Sequence, residues 1–432
     1  MNKRLKYLLV WAAFVVITAS GVAVGRWTVK SVSAESDTYQ ELKLFTEVIS
    51  LVKSSYVEDV KIKDLIYGAI KGMVSSLDPH SAFMTPDMYK EMKVDTKGEF
   101  GGVGIQIGKK GGLLTVIAPI EDTPAYLAGI KAGDIIMKVN NESTDKMTLM
   151  DAVNKMRGPR GTKVILSILR KGWTEPKDFP ISREIIKVKS VKQKVLEGNI
   201  GYIKISQFQE KTVQDLVKAI NVLKEKKITS VIIDLRNDPG GLLQSAVGVA
   251  EQFLPSHKLV VYIKDRSGDK KDFYTESEGK LDTLPMVVLV NEGSASASEI
   301  VAGALKDWNR AVILGVTTFG KGSVQSVLGL SDGSGLRLTT ARYYTPNGIS
   351  IQNTGITPDI IVKIKSENGK EHKVLREKDL TGHLENEQVE GKEGEEMDST
   401  PLELEEKDDT QLQRAIDILK TGDMLKKSNK TS

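Results

Sequence analysis

The chain has 432 residues, 40% of them hydrophobic, and carries 61 basic against 57 acidic residues for a net charge of +4. That length exceeds one ordinary domain and supports sizeable cores, while the near-balance of charge removes the electrostatic case for nucleic-acid binding. Cysteine is absent, which excludes disulfides and thiolate chemistry without implying a compartment.

Lys3, Arg4 and Lys6 precede an uncharged run of nineteen residues from Tyr7 to Gly25, and Arg26 and Lys30 follow it. The run is long for a signal-peptide core and nearly spans a bilayer. It predicts a cytoplasmic segment 1–6 and a retained transmembrane signal anchor at 7–25. The protein would then be single-pass in the cell membrane, with its bulk extracytoplasmic. Val32-Ser-Ala34 offers the alternative of a cleaved secretory signal. Over 35–95 the pattern is helical, with apolar residues at helical spacing in Leu42–Val52 and again in Leu65–Met73. Helical hairpins with one apolar stripe often pair with a second copy, so this region is the candidate homodimer contact. Leu77-Asp-Pro-His80-Ser ends the second helix and reads as a turn and cap.

Residues 96–184 form a separate β-rich module. Short alternating strands surround Pro124-Ala-Tyr-Leu-Ala-Gly129-Ile-Lys-Ala-Gly133-Asp134-Ile-Ile, and a helix is predicted near Met150 to Met156. With Gly-Val-Gly-Ile preceding, this order resembles a PDZ domain. Loop amides before an edge strand hold a terminal carboxylate there, and the candidate loop is Gly102-Val103-Gly104-Ile105. The loop Lys155-Met-Arg157-Gly-Pro-Arg160-Gly would lie near the peptide groove. Arg157 is a candidate regulatory contact to the rest of the chain, with an ordinary solvated charge as the alternative.

The stretch 185–365 carries the chemistry. Ser230–Leu235 reads as a buried strand followed by Arg236-Asn-Asp238-Pro-Gly240-Gly241, a tight turn whose bare N–H groups also suit half of an oxyanion hole. A second apolar run, Met286–Val290, leads into Asn291-Glu-Gly-Ser-Ala-Ser296-Ala297-Ser298 and then a helical pattern. Such a corner exposes a side-chain oxygen and aims free amides at one point. Twenty-five residues after Ser296 comes Lys321, held between two glycines, with Gln325 four residues on. A free lysine is a poor base at neutral pH, so Lys321 must be desolvated or set near another cation. Its apolar neighbours Phe319 and Val324 suit that. The four histidines, His80, His257, His372 and His383, form no recognisable nucleophile–base pair, and Gly320–Ser323 lacks the lead-in of a P-loop. No metal-ligand cluster and no cofactor motif appears.

Together these blocks resemble the carboxy-terminal processing peptidases, or tail-specific proteases. The resemblance implies a mixed α/β fold: a crotonase/ClpP-like protease core with an inserted PDZ domain and helical N- and C-terminal segments. It implies Ser296 as nucleophile, Lys321 as base and Gln325 as its orienting partner. It also implies an oxyanion hole from Gly240 or Gly241 with the amide of Ala297. Where the commoner family form has a second asparagine, this chain has Asp238. The implied activity is a serine endopeptidase that binds apolar free C-termini of proteins through its PDZ module and is gated by it, without metal or cofactor. The alternatives are a catalytically idle peptide-binding adaptor on the same fold, or an acyl hydrolase on a related core. After the core, 366–410 predicts a mobile acidic linker, Glu385–Asp409 holding twelve acidic to two basic residues. A helical stripe at 411–426 follows.

Overall fold

The computed structural model describes residues 39–363, 376–388 and 409–428. The predicted cytoplasmic segment, the anchor at 7–25, the cleavage-site alternative and most of the acidic linker lie outside the described residues. Among the described residues no helix is long and apolar enough to cross a membrane.

The chain divides into two units, 1–74 and 75–432. In the first, helix α1 (39–55) and helix α2 (Ile62–Ser75) follow the predicted stripes. Leu42, Phe45, Val48 and Leu51 of α1 are exposed.

The second unit begins with the turn at Asp78, whose carboxylate accepts the N–H groups of His80 and Ser81, both at 2.8 Å. Strand β1 (Ala82–Met84) leads to helix α3 (Pro86–Lys97), which starts at the Thr85 cap with proline in its first turn and stops at left-handed Gly98. A ribbon of β2 (Glu99–Gly102) and β9 (Glu184–Lys187) carries the chain into and out of the PDZ module. Between them lie β3 (Ile105–Lys110), β4 (Leu113–Pro119), α4 (Pro124–Leu127), β5 (Ile135–Val139), β6 (Glu142–Ser143), α5 (Leu149–Met156), β7 (Lys163–Leu169) and β8 (Lys177–Ser182). The strands order as β3-β4-β5-β7-β8 around a core that includes Val116, Ile136, Ala152 and Leu166. Thr148 and Asp151 cap α5 reciprocally.

The α/β core is a six-stranded sheet, β10 (Val191–Leu196), β11 (Ile200–Ile205), β12 (Ser230–Asp234), β15 (Met286–Val290), β16 (Val312–Gly315) and β19 (Ile360–Ile361), in that spatial order and parallel from β11 onward. Every residue of β12 and β15 is buried, as expected of parallel strands covered on both faces. Val231, Ile233 and Val288 pack with helices α6 (Thr212–Glu225), α7 (Leu243–Glu251) and α8 (Ala297–Asp307). On the other face, Ile232 and Leu289 pack with Leu412, Ala415 and Leu419 of α9 (Thr410–Ser428). Arg236 bolts the start of α9 to the end of β12, bridging Asp234 and Asp409 at 2.7 Å each. A second sheet, β1-β18-β13-β14 with β17 on β18, is built from β13 (Leu259–Asp265), β14 (Lys270–Tyr274), β17 (Ser323–Gly329), β18 (Gly335–Tyr344) and β1. This sheet sets the Asp78 turn against β18, the partner of the strand that follows Lys321.

Candidate active site

Ser296 sits where β15 gives way to α8, half-buried, with φ of 55°. A positive φ is strained for a serine and persists only where surrounding bonds over-determine it. The main one is from its own N–H to Glu299 Oε2, at 2.8 Å. Glu299 is fully buried, and its two oxygens take four donors. Oε2 also accepts Lys321 N–H at 3.0 Å, and Oε1 accepts Thr318 Oγ1 at 2.6 Å and Gly320 N–H at 2.7 Å. One carboxylate thus holds the serine corner and the lysine turn in a single frame. Burial pushes its pKa up, to about 7, against those four bonds. Glu299 went unnoticed in the sequence because it reads as the first turn of an ordinary helix. The available signal was a capping-box spacing, a glutamate three residues after the cap serine.

Lys321 is buried for most of its length, and burial lowers its pKa from the usual lysine value. The Glu377 carboxylate works against this shift, Arg337 adds to it, and Glu299 and Asp78 oppose it. The single Tyr343 O–H lies within hydrogen-bond reach of the carbonyls of both Lys321 and Ser296, a second brace between the two. Gly322 N–H donates to Gln352 Oε1 at 2.9 Å, and Gln352 Nε2 in turn donates to Glu377 Oε1 at 2.9 Å.

The structure does not join Gln325 to Lys321. A bulge between Val324 and Gln325 sets Gln325 opposite Thr339, and its amide donates to Ser323 Oγ at 3.0 Å and Thr339 Oγ1 at 3.3 Å. Thr339 Oγ1 lies 3.1 Å from Asp78 Oδ1. The turn at His80 does more than cap a helix. The His80 ring Nε2 lies 2.7 Å from Oε2 of Glu377, a fully buried carboxylate delivered by the segment 376–388.

The glycine turn lies directly against the serine. A Cβ on Gly240 would sit 2.9 Å from both Ser296 Cβ and Ala297 N, and one on Gly241 would sit 2.1 Å from Phe208 O. Glycine is therefore required at both. The Gly240 N–H is taken by Asp238 Oδ1 at 2.9 Å. Among the described residues, the N–H groups of Gly241 and Ala297 have no acceptor within the chain.

In the PDZ module, Val103, Gly104 and Ile105 edge a cavity of about 60 Å³ that Phe100, Ile107, Val153 and Met156 line with apolar surface, while Gly102 lies outside its lining, at the end of β2. Arg157, at its rim, lies over the Phe100 ring at 4.4 Å and forms a two-point ion pair with Glu91 of α3. Its guanidinium is not a free solvated charge. Arg160 pairs with Glu184 at 2.7 Å on the surface. Among the described residues no group of His, Cys, Asp or Glu side chains is arranged to hold a metal ion.

Three family models match the chain: peptidase family S41 over 199–362, a PDZ domain over 115–170, and the N-terminal domain of the activating protease CtpB over 12–88. A carboxy-terminal-processing protease of Bartonella bacilliformis is 44% identical over 392 residues, covering 89% of this chain and 90% of that protein. The carboxy-terminal processing protease CtpB of Bacillus subtilis is 37% identical, covering 76% of this chain and 69% of that one. Among solved structures, a photosystem II D1 C-terminal processing protease matches at 30% identity and a TM-score of 0.44, covering 74% of this chain and 92% of that one. The chain belongs to peptidase family S41, the carboxy-terminal processing proteases. It is a mixed α/β serine peptidase with a PDZ domain, the module that binds protein C-termini.

Proposed function

We propose that Ser296 and Lys321 form the catalytic dyad of a tail-specific endopeptidase. The observation that carries this reading is the Glu299 carboxylate, which accepts the N–H groups of both residues and so fixes the nucleophile corner against the base turn. Neutral Lys321 takes the Ser296 Oγ proton as Oγ bonds to the substrate carbonyl carbon. The proton then passes to the leaving amine as the C–N bond breaks, and water releases the acyl group. The Ala297 and Gly241 amides, left without acceptors, suit the negative carbonyl oxygen, and of the two glycines Gly241 is favoured because the Gly240 amide is taken.

The substrates are proteins with apolar free C-termini, seated with the carboxylate at Gly102–Ile105 and the last side chain in the apolar cavity. The module gates the reaction as well as tethering the tail. Its rim residue Arg157 is tied to α3, which follows β1, and β1 pairs with the strand carrying Thr339, the present partner of Gln325. Tail binding favours an arrangement in which Gln325 turns to orient Lys321. The exposed stripe of α1 supports a homodimer, and the basic residues before the apolar run 7–25 support a cell-membrane anchor with the catalytic part outside the cytoplasm. The test is hydrolysis of a short reporter peptide, with and without a second peptide ending in an apolar free carboxyl residue. Stimulation that vanishes in Ser296→Ala supports the reading, and unchanged rates while the second peptide is bound leave the module a tether only.

A further inference from the structure

Asp238 is buried in the turn that faces Ser296, with none of its surface exposed. Its Oδ1 accepts the Gly240 N–H at 2.9 Å, while its Oδ2 is buried with no hydrogen-bond partner. Its main-chain oxygen takes the Ala295 N–H at 3.0 Å and the Ser298 hydroxyl at 2.9 Å, so the residue grips the serine corner from both sides. This explains how the turn selects its free donor. With the Gly240 amide engaged, Gly241 and Ala297 keep theirs for the substrate.

The same placement creates a conflict of charge. The carbonyl oxygen of the substrate becomes negative within this turn, and a carboxylate bonded to the neighbouring amide would repel it. An ionised Oδ2 without a donor is also costly to bury. The charged group facing Asp238 is Lys204 of β11. The adjacent Arg236 is spent on Asp234 and Asp409, and across the serine corner Glu299 holds the N–H groups of Ser296 and Lys321. We propose that Asp238 is a positioning residue of the oxyanion turn that works only as the neutral acid, so that its ionisation switches the peptidase off. Burial pushes its carboxyl up to about 8, against the pull of the Gly240 N–H, the neighbouring Ser298 hydroxyl and Lys204, which puts the switch inside an accessible pH range.

The inference rests on the proposed role of Ser296 and of the Gly241 and Ala297 amides. The test is kcat/KM for a peptide reporter from pH 6 to 10 with the full chain and three variants. Ser296→Ala must be inactive throughout; if it is not, the dyad reading fails on its own. Given an inactive Ser296→Ala, wild type should lose rate above about pH 8, roughly tenfold per unit at the limit. Asp238→Asn keeps an acceptor for Gly240 without a charge. It should therefore lack this alkaline limb and exceed wild type at least tenfold at pH 9.5. Asp238→Ala, shown folded by its melting curve, should lose about 10²-fold or more in kcat with KM little changed. A readout free of activity is the infrared carbonyl band of a buried carboxylic acid in the Ser296→Ala protein. The component of that band that vanishes as pH rises through 8 should be missing when Asp238→Asn is added, whereas the component from Glu299, lost near pH 7, should stay. An alkaline limb unchanged in Asp238→Asn, or no such component, overturns the proposal.

Discussion

The turn at 237–241 and the loop at 102–105 are both glycine-containing candidates for holding a negative oxygen, but the charges around them differ in sign. Beside the turn lies a buried carboxyl, Asp238, bonded to Gly240. Beside the loop lies a guanidinium, Arg157, whose Cγ approaches the position of a Gly102 Cβ at 3.7 Å. The loop's proposed guest is a carboxylate charged before it arrives, so a fixed cation is an advantage. The turn's proposed guest is charged only during reaction and must be met by neutral dipoles already in place. The bracing differs accordingly. The serine corner is held by Glu299, Tyr343, Asn291 and Asp238, all buried. Arg157 and Glu91 remain about a quarter exposed, at 23% and 26%.

The largest expected effects are at the proposed dyad. Ser296→Ala and Lys321→Ala should each lower kcat/KM by at least about 10³-fold, with native melting temperatures and with the double variant no worse than either single one. Additive losses would break the idea of one unit. Next is Glu299→Gln, which sets an NH₂ group against two N–H or O–H donors at a fully buried site. Leaving such donors unpaired costs about 1–3 kcal/mol each, so both kcat and the denaturation midpoint should fall. A variant with wild-type stability would mean the frame around Ser296 is not held as described.

A smaller and more diagnostic effect is expected at Glu377. The carboxylate holds the Lys321 pKa up, so removing its charge with Glu377→Gln should let that pKa fall. The acid limb of kcat/KM then moves to lower pH, because neutral lysine persists there. A limb that stays in place or moves upward would show that Glu377 only braces Gln352 and His80. Stability carries a parallel sign. The folded-state pKa of Asp238 lies near 8, above its unfolded value, so its proton stabilises the fold fully below about pH 4 and is lost as pH rises through 8. Wild type should lose melting temperature between pH 6 and 9.5, and Asp238→Asn should lose less.

The sequence discloses this site unevenly, for physical reasons. Ser296, Lys321 and the glycine pair are legible because strand ends, helix starts and glycine turns each leave a local mark. Glu299 is legible only as a cap, since its second partner lies twenty-two residues away at Lys321. The pairing of His80 with Glu377 spans 297 residues, and no local pattern announces it. At His80 the local sequence discloses the backbone turn but not the ring contact. Asp238 was visible as a departure from the family pattern, but its consequence depends on which amide it bonds and on an unpaired oxygen, which only packing reveals. Gln325 shows the reverse, since its spacing from Lys321 was read from sequence and a bulge turns it toward Thr339.

The smallest effect sharpens the comparison at the exposed end. The Arg157–Glu91 pair is partly solvated, so it is worth no more than about 1 kcal/mol, or roughly a fivefold population shift. If the pair holds the PDZ module in its resting arrangement, Glu91→Gln should raise basal hydrolysis of the short reporter by up to about fivefold. It should reduce stimulation by an added tail peptide by the same factor, because part of the shift has already occurred. Affinity for the tail should change little, since Arg157 keeps its place over Phe100. Arg157→Ala removes that cation as well, so tail binding itself should weaken. The two variants thus separate gating from carboxylate attraction. A Glu91→Gln protein with wild-type basal rate and stimulation would show that the ion pair does not restrain the module and that any gating runs by another contact.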